Sequence, residues 1–269
     1  MKFIRAIFDF YLQSSIHVAF AVMSLAAITV FQYGFVPEPS LLLFILFGTV
    51  VGYNFVKYTG VSNVHHLKIT KNLLLFRIFT VLCAGGMIYF GRLLPTEVLL
   101  TAAVFGGLTV LYAIPLFKNK NLRSLKGTKI FIIALVWVGV SVLVPMEYHN
   151  IGFNAKAFYH AAEIFLFVIT LTLPFEIRDL KYDEPDLHTI PQKLGLKGTK
   201  LFGTALLLAA TSLAMLQNYM TDSDLPVTLS IFGLTAVALW ASKKEQGDYF
   251  AAFWVESIPF IWLIASIAL

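Results

Sequence analysis

Apolar residues along this chain gather into long blocks broken by short polar stretches, and a block of about 20 apolar residues is what a helix needs to cross a bilayer. Nine such blocks are read, over 14–34, 40–59, 73–93, 96–116, 128–147, 156–177, 200–219, 225–241 and 249–268. Ahead of the first, Lys2 to Leu12 is amphipathic: Phe3, Ile4, Ile7, Phe8 and Tyr11 can share one helical face. That pattern predicts an interfacial helix over 1–13. The expected fold is all-α, a polytopic membrane bundle of nine transmembrane helices in one domain, 1–269. Two connections stand out. The 60–72 link is polar and basic, and the 178–199 link is the longest and most charged, and long connections in compact helical proteins tend to carry function.

Composition agrees with the pattern. A chain with 58% apolar and 13% charged residues has more apolar surface than a soluble fold of this size could hide, whereas lipid accommodates it. The net charge of +5 is not a nucleic-acid footprint, because its distribution follows topology. Of 20 Lys and Arg, all but Arg92 and Lys156 fall in the N-terminal stretch or beside the links after the second, fourth, sixth and eighth blocks. This positive-inside bias places the N-terminus and those links in the cytoplasm, and an odd number of spans places the C-terminus outside. No small-residue cleavage pattern follows Met1–Arg5, so the first block is expected to remain as a membrane helix. The single Cys83 lies within an apolar block and reads as a packing residue, with no disulfide framework or cysteine metal site around it.

The chemistry gathers after the sixth block. Asp179 and Asp183 are four apart and would share one face of a continuing helix, with Glu176 a turn earlier. Pro185 should end that helix and return Asp186 to the same neighbourhood. Like charges stacked this way repel unless a cation lies between them, and Mg²⁺ takes one or two carboxylates plus substrate phosphates. The alternative is a solvated loop with its acids balanced by Arg178 and Lys181. Downstream, Thr189 and Gln192 have capping-box spacing, with Pro191 in the first turn, and Lys193-Leu194-Gly195 reads as a short helix closed by glycine.

Arg178-Asp179-Leu180-Lys181-Tyr182-Asp183, followed by Thr189-Ile190-Pro191-Gln192-Lys193-Leu194-Gly195, resembles the second aspartate-rich motif of the UbiA-type intramembrane prenyltransferases. The helix count, the amphipathic N-terminal helix and the Tyr112–Lys118 segment followed by Lys126 are similar too. The resemblance implies binding of an isoprenyl diphosphate through Mg²⁺ and transfer of the prenyl group to an aromatic or lipid acceptor, in the cytoplasmic membrane of a bacterium. It implies Asp179, Asp183 and Asp186 as metal ligands, and Asp179, Asp183 and Asn54 at the reacting centre. Diphosphate contacts would come from Lys57, Lys68, Lys71, Arg178, Lys118 and Lys126. The first motif departs from the family pattern, because Asn54 opens it but Phe55, Tyr58 and Ser62 stand where carboxylates are expected. Three outcomes follow. One Mg²⁺ suffices, with Lys57, Lys68 or Lys71 clamping the diphosphate as point charges; or the fold serves another isoprenoid reaction or lipid binding; or the protein is an inactive relative with a partner role.

Other polar groups lie within the apolar blocks. His160 and Glu163 are expected near the outer interface, within reach of water. Glu256 lies deeper, ahead of a kink expected at Pro259. Arg77 would reach a phosphate or snorkel. His65 and His66 are adjacent and so do not face one another on a helix, which argues against a two-histidine metal site. The 25 Phe would suit an apolar chamber but equally a lipid-facing surface.

Overall fold

The computed structural model describes residues 2–58, 73–114, 122, 127–183, 187–220 and 225–268, and these are all-helical, without a strand. The helices are α1 (Lys2–Gln13), α2 (Ile16–Gln32), α3 (Pro39–Tyr58), α4 (Leu73–Gly91), α5 (Thr96–Ala113), α6 (Lys129–Tyr148), α7 (Ala155–Asp179), α8 (Ile190–Met220), α9 (Leu225–Ala241) and α10 (Phe250–Ala268). Seven of them are long and apolar enough to cross a membrane, and an eighth span results if α1 and α2, bent by 55°, count as one. The 17-residue α9 is apolar but shorter than the rest.

Sequence chemistry explains the boundaries. The block read over 14–34 becomes helical only from Ile16, because Ser15 takes a left-handed conformation (φ 66°) and turns the chain between α1 and α2. Pro95, with φ −58°, presets the start of α5. Asn154 caps α7 by accepting from the Ala157 N–H at 3.0 Å. Two helices carry a π-helical turn, Gly139–Leu143 in α6 and Phe250–Val255 in α10. Each precedes a proline, Pro145 and Pro259, which has no N–H to offer the carbonyl four residues back, so the ladder widens there. The irregularity expected at Pro259 therefore lies on its N-terminal side. Gly195, at φ 67° and ψ 177°, breaks the first turn of α8 from the rest, as the Leu194-Gly195 reading anticipated.

Packing gives α2 and α7 the most buried positions. α7 lies against α6, α8 and α9, while α10 returns to pack on α2 and closes the bundle. Phe167, Phe232 and Trp262 form a ring cluster between α7, α9 and α10, with centroids 5.2 to 5.9 Å apart. Gly203 lets α8 approach α7 and α9, since a Cβ there would stand 2.5 Å from Leu239 and 2.7 Å from Leu173. Cys83 is buried in a small apolar cluster with Ala19 and Val50, as its composition-based reading held.

α1 caps one end of the bundle. Phe8 packs on Tyr249 and Phe253, and Phe10 on Phe76 and Phe79. Tyr58 donates to the Gln13 carbonyl at 3.2 Å, tying the end of α3 to the same place. This is the end at which α7 also finishes.

Candidate functional site: a chamber with a charged mouth

A chamber of about 660 Å³ opens among α3, α4, α5, α6 and α7, a size within the range of small-molecule sites. Its walls are apolar and aromatic over most of their area, with Phe44, Phe55, Phe105, Trp137 and Phe175 among them. Its acidic and basic residues are Lys57 from α3, Lys129 from α6, Glu176 and Asp179 from α7, and Glu256 from α10. Lys57, Lys129, Glu176 and Asp179 come from helix termini that meet at the end capped by α1. The mouth is therefore polar and the body apolar because the helices carry their charged residues at their ends.

The carboxylates of the mouth are held individually. Glu176, buried at 2% exposure, pairs with Lys129 at 2.7 Å. Asp179 accepts from the neighbouring Arg178 guanidinium at 2.8 Å. The helical path continues one turn past α7, since the Asp183 N–H donates to the Asp179 carbonyl at 2.9 Å. Asp179 and Asp183 thus stand one turn apart, as their spacing predicted. The following segment is tied in through its backbone: Gly127 N–H donates to the Leu187 carbonyl at 3.0 Å. Half of the expected capping box forms, with Gln192 accepting from the Thr189 N–H at 3.0 Å.

Lys57 and Asp179 line one chamber, which brings the ends of α3 and α7 to a common opening. Lys57 also donates to Ser15 Oγ at 2.7 Å and to the Gln13 carbonyl at 3.3 Å. Asn54 is placed differently from the role its motif position suggests. Buried at 1% exposure and absent from the chamber lining, it accepts from Ser15 Oγ at 2.9 Å and donates to Thr80 Oγ1 at 2.9 Å. Thr80 Oγ1 donates in turn to the Phe76 carbonyl at 2.7 Å. Asn54 is a link in a polar chain joining α3 to α4 and to the α1–α2 turn. Lys68, Lys71, Lys118, Lys126 and Asp186 lie outside the described residues. Among the described residues no group of three His, Cys, Asp or Glu side chains could hold a metal by itself.

His160 and Glu163 depart from expectation. They are 0% and 1% exposed rather than at a watered interface, because α2 covers this face of α7. Thr29 Oγ1 donates to the Leu25 carbonyl, so at 2.9 Å from His160 Nε2 it accepts from the ring. His160 Nδ1 is 3.9 Å from Glu163 Oε2. The Tyr33 ring stands edge-on to His160, with centroids 6.4 Å apart.

Sequence reasoning did not single out Tyr53 or Trp137. Trp137 Nε1–H donates to the Tyr53 hydroxyl at 2.7 Å on the chamber wall. A tyrosine beside Asn54 and a tryptophan in the fifth apolar block carry no spacing that links them, although amphipathic rings within apolar blocks are a signal of polar partners.

These features define a polytopic helical membrane protein with an apolar chamber entered through a charged mouth. Comparison with protein-family models, curated proteins and solved structures returned no match to this chain.

Proposed function

We propose that the protein is an integral membrane prenyltransferase of the UbiA type, which moves an isoprenyl group from its diphosphate to an acceptor inside the chamber. The observation that carries this reading is the joint placement of Lys57 and Asp179 at the mouth of a 660 Å³ apolar chamber. An isoprenyl diphosphate has the same division, an apolar chain and a highly charged head. Asp179 and Asp183, one helical turn apart, suit Mg²⁺ in the manner hard cations prefer, with two carboxylates and the remaining oxygens supplied by the substrate. When bound, one such ion would neutralise charge on the departing diphosphate. Lys57 takes the place of the acidic half of the first motif and holds the opposite side of the head as a point charge. Lys68, Lys71, Lys118, Lys126 and Asp186 follow α3, α5 and α7 in the sequence, and in this reading they add to the contacts with the head. The apolar walls exclude water from the allylic cation left when the carbon–oxygen bond to diphosphate breaks. In this reading the chain has nine spans, with α1 and the mouth on the cytoplasmic side of a bacterial inner membrane.

The reading is tested by binding. Geranylgeranyl diphosphate should raise the melting temperature of the detergent-solubilised protein, more with Mg²⁺ than with EDTA. A shift indifferent to Mg²⁺ removes the metal from the account, and no shift removes the substrate.

A second reading has an observation of its own. Phe55 and Tyr58 stand where acidic ligands would be, and Asn54 is tied to Ser15 and Thr80. A protein that holds an isoprenoid or lipid without turning it over would have the same chamber. Binding of the diphosphate without release of inorganic diphosphate would favour that reading.

A further inference from the structure

Of the three carboxylates on the chamber wall, two are already committed, Glu176 to Lys129 at 2.7 Å and Asp179 to Arg178 at 2.8 Å. The third, Glu256, makes no side-chain hydrogen bond or ion pair among the described residues, yet it lines the chamber rather than bulk water. Lys57 and Arg178 are its electrostatic neighbours, but neither bonds to it, and a buried carboxyl group without a hydrogen bond is a costly arrangement that a ligand able to donate one relieves. The backbone places it there: Glu256 follows the π-helical turn Phe250–Val255, at the point where α10 re-forms as an α-helix from Ile258. π-turns of this kind occur often at functional sites, since the extra residue re-aims a side chain.

A complementary group lies on the same wall. The Tyr53 oxygen is occupied as an acceptor by the Trp137 indole N–H, so its own O–H is left to donate. The lining thus offers an acceptor at Glu256 and a phenolic donor at Tyr53. Both cations of the lining have other bonds, Lys129 with Glu176 and Lys57 with Ser15 and the Gln13 carbonyl.

We infer that Glu256 and Tyr53 form the polar anchor of an acceptor subsite that takes an uncharged, hydroxyl-bearing molecule and rejects a carboxylated one. A hydroxyl group matches both partners at once, giving its proton to Glu256 and receiving that of Tyr53. A carboxylated molecule of the same shape meets a second carboxyl group across a dry space. The two carboxyl groups can share that space only with a proton between them, a requirement a hydroxyl does not have. Naming the molecule an acceptor rests on the transferase reading; the preference for a hydroxyl over a carboxylate does not.

The test uses binding alone, without Mg²⁺ or a prenyl diphosphate. Wild type, Glu256→Gln and Tyr53→Phe in detergent micelles are titrated with 1-naphthol and 1-naphthoate, and with decanol and decanoate, following the melting temperature. Comparing proteins ligand by ligand cancels partition into the micelle. In wild type the alcohol of at least one pair should bind about tenfold or more tightly than its acid, equivalent to about 1.4 kcal/mol. Glu256→Gln should bring the two within about threefold, chiefly by admitting the acid, and Tyr53→Phe should weaken the alcohol without admitting the acid. The pair that shows the preference tells an aromatic acceptor from an aliphatic one. An unchanged ratio in Glu256→Gln, or equal binding of alcohol and acid by wild type in both pairs, overturns the inference. If the preference holds while geranylgeranyl diphosphate produces no shift, it is the transferase reading that falls.

Discussion

Asn54 and Asp179 illustrate how residues of similar polarity differ in consequence. Asn54 is the middle of a buried chain running from Lys57 through Ser15 and Asn54 to Thr80, all within 2.9 Å per step. Replacing Asn54 by Leu would strand the Ser15 and Thr80 hydroxyls in an apolar setting, and a loss of about 2–3 kcal/mol is expected for such a network. Its melting temperature should fall well below that of Asp179→Asn, whose side chain faces the chamber mouth and Arg178. Equal melting temperatures for the two variants would argue against the structural role of Asn54. Thr29→Val removes the acceptor of the buried His160 Nε2–H and should cost about 1–2 kcal/mol, measured by thermal or denaturant unfolding. Asp179 and Asp183 were legible in the sequence because four-residue spacing has a direct meaning on a helix. The partners of Asn54 were not, because Ser15 is 39 positions away and contact between them depends on how α2 meets α3. The burial of His160 and Glu163 was hidden for the same reason: an apolar block does not say which of its faces another helix will cover.

Helices were the most readable level, since runs of apolar residues long enough to span lipid have one way to satisfy their backbone groups. What the pattern did not contain was the interruptions. The bend at Ser14–Ser15 and the π-turns ahead of Pro145 and Pro259 lie inside or beside segments that read as continuous, whereas the break at Gly195 was legible from the glycine itself. Proline marks where a ladder loses a donor, but not that the helix answers by widening. Close approach between elements is equally silent in a single sequence. Gly203 has no room for a Cβ against Leu173 and Leu239, so Gly203→Val should loosen α8 from α7 and α9, with a loss of about 1–3 kcal/mol. Gly233→Val, where a Cβ would meet nothing within 4 Å, is the control and should leave the melting temperature nearly unchanged.

For the whole molecule, the charge asymmetry predicts a topology that can be mapped directly. Cys83 is the single cysteine in the chain, so a Cys83→Ala background accepts one reporter thiol at a time. With the mouth in the cytoplasm, Lys181→Cys should resist a membrane-impermeant maleimide in intact cells and react in inverted vesicles. Asn150→Cys, in the turn between α6 and α7, should behave in the opposite way. Both sites react on the same side only if the placement of α7 across the membrane is wrong. The arrangement of the bundle also sets what the chamber can do. Lys57 and Asp179 are far apart in sequence and meet only because α3 and α7 end together beneath α1, and Glu256 joins them because α10 returns to α2. The candidate site was half legible for this reason: its α7 side follows from local spacing, and its other walls follow from closure of the bundle.

The central claim is that Asp179 and Asp183 hold the metal-assisted diphosphate end of a prenyl-transfer site. The most direct measurement is release of inorganic diphosphate from geranylgeranyl diphosphate by purified protein, with a membrane lipid extract as the source of acceptor. Wild type is predicted to release it only with Mg²⁺, and Asp179→Asn and Asp183→Ala to be slower by about 100-fold or more while keeping a wild-type melting temperature. Mg²⁺-dependent release that survives in both folded variants would contradict the account.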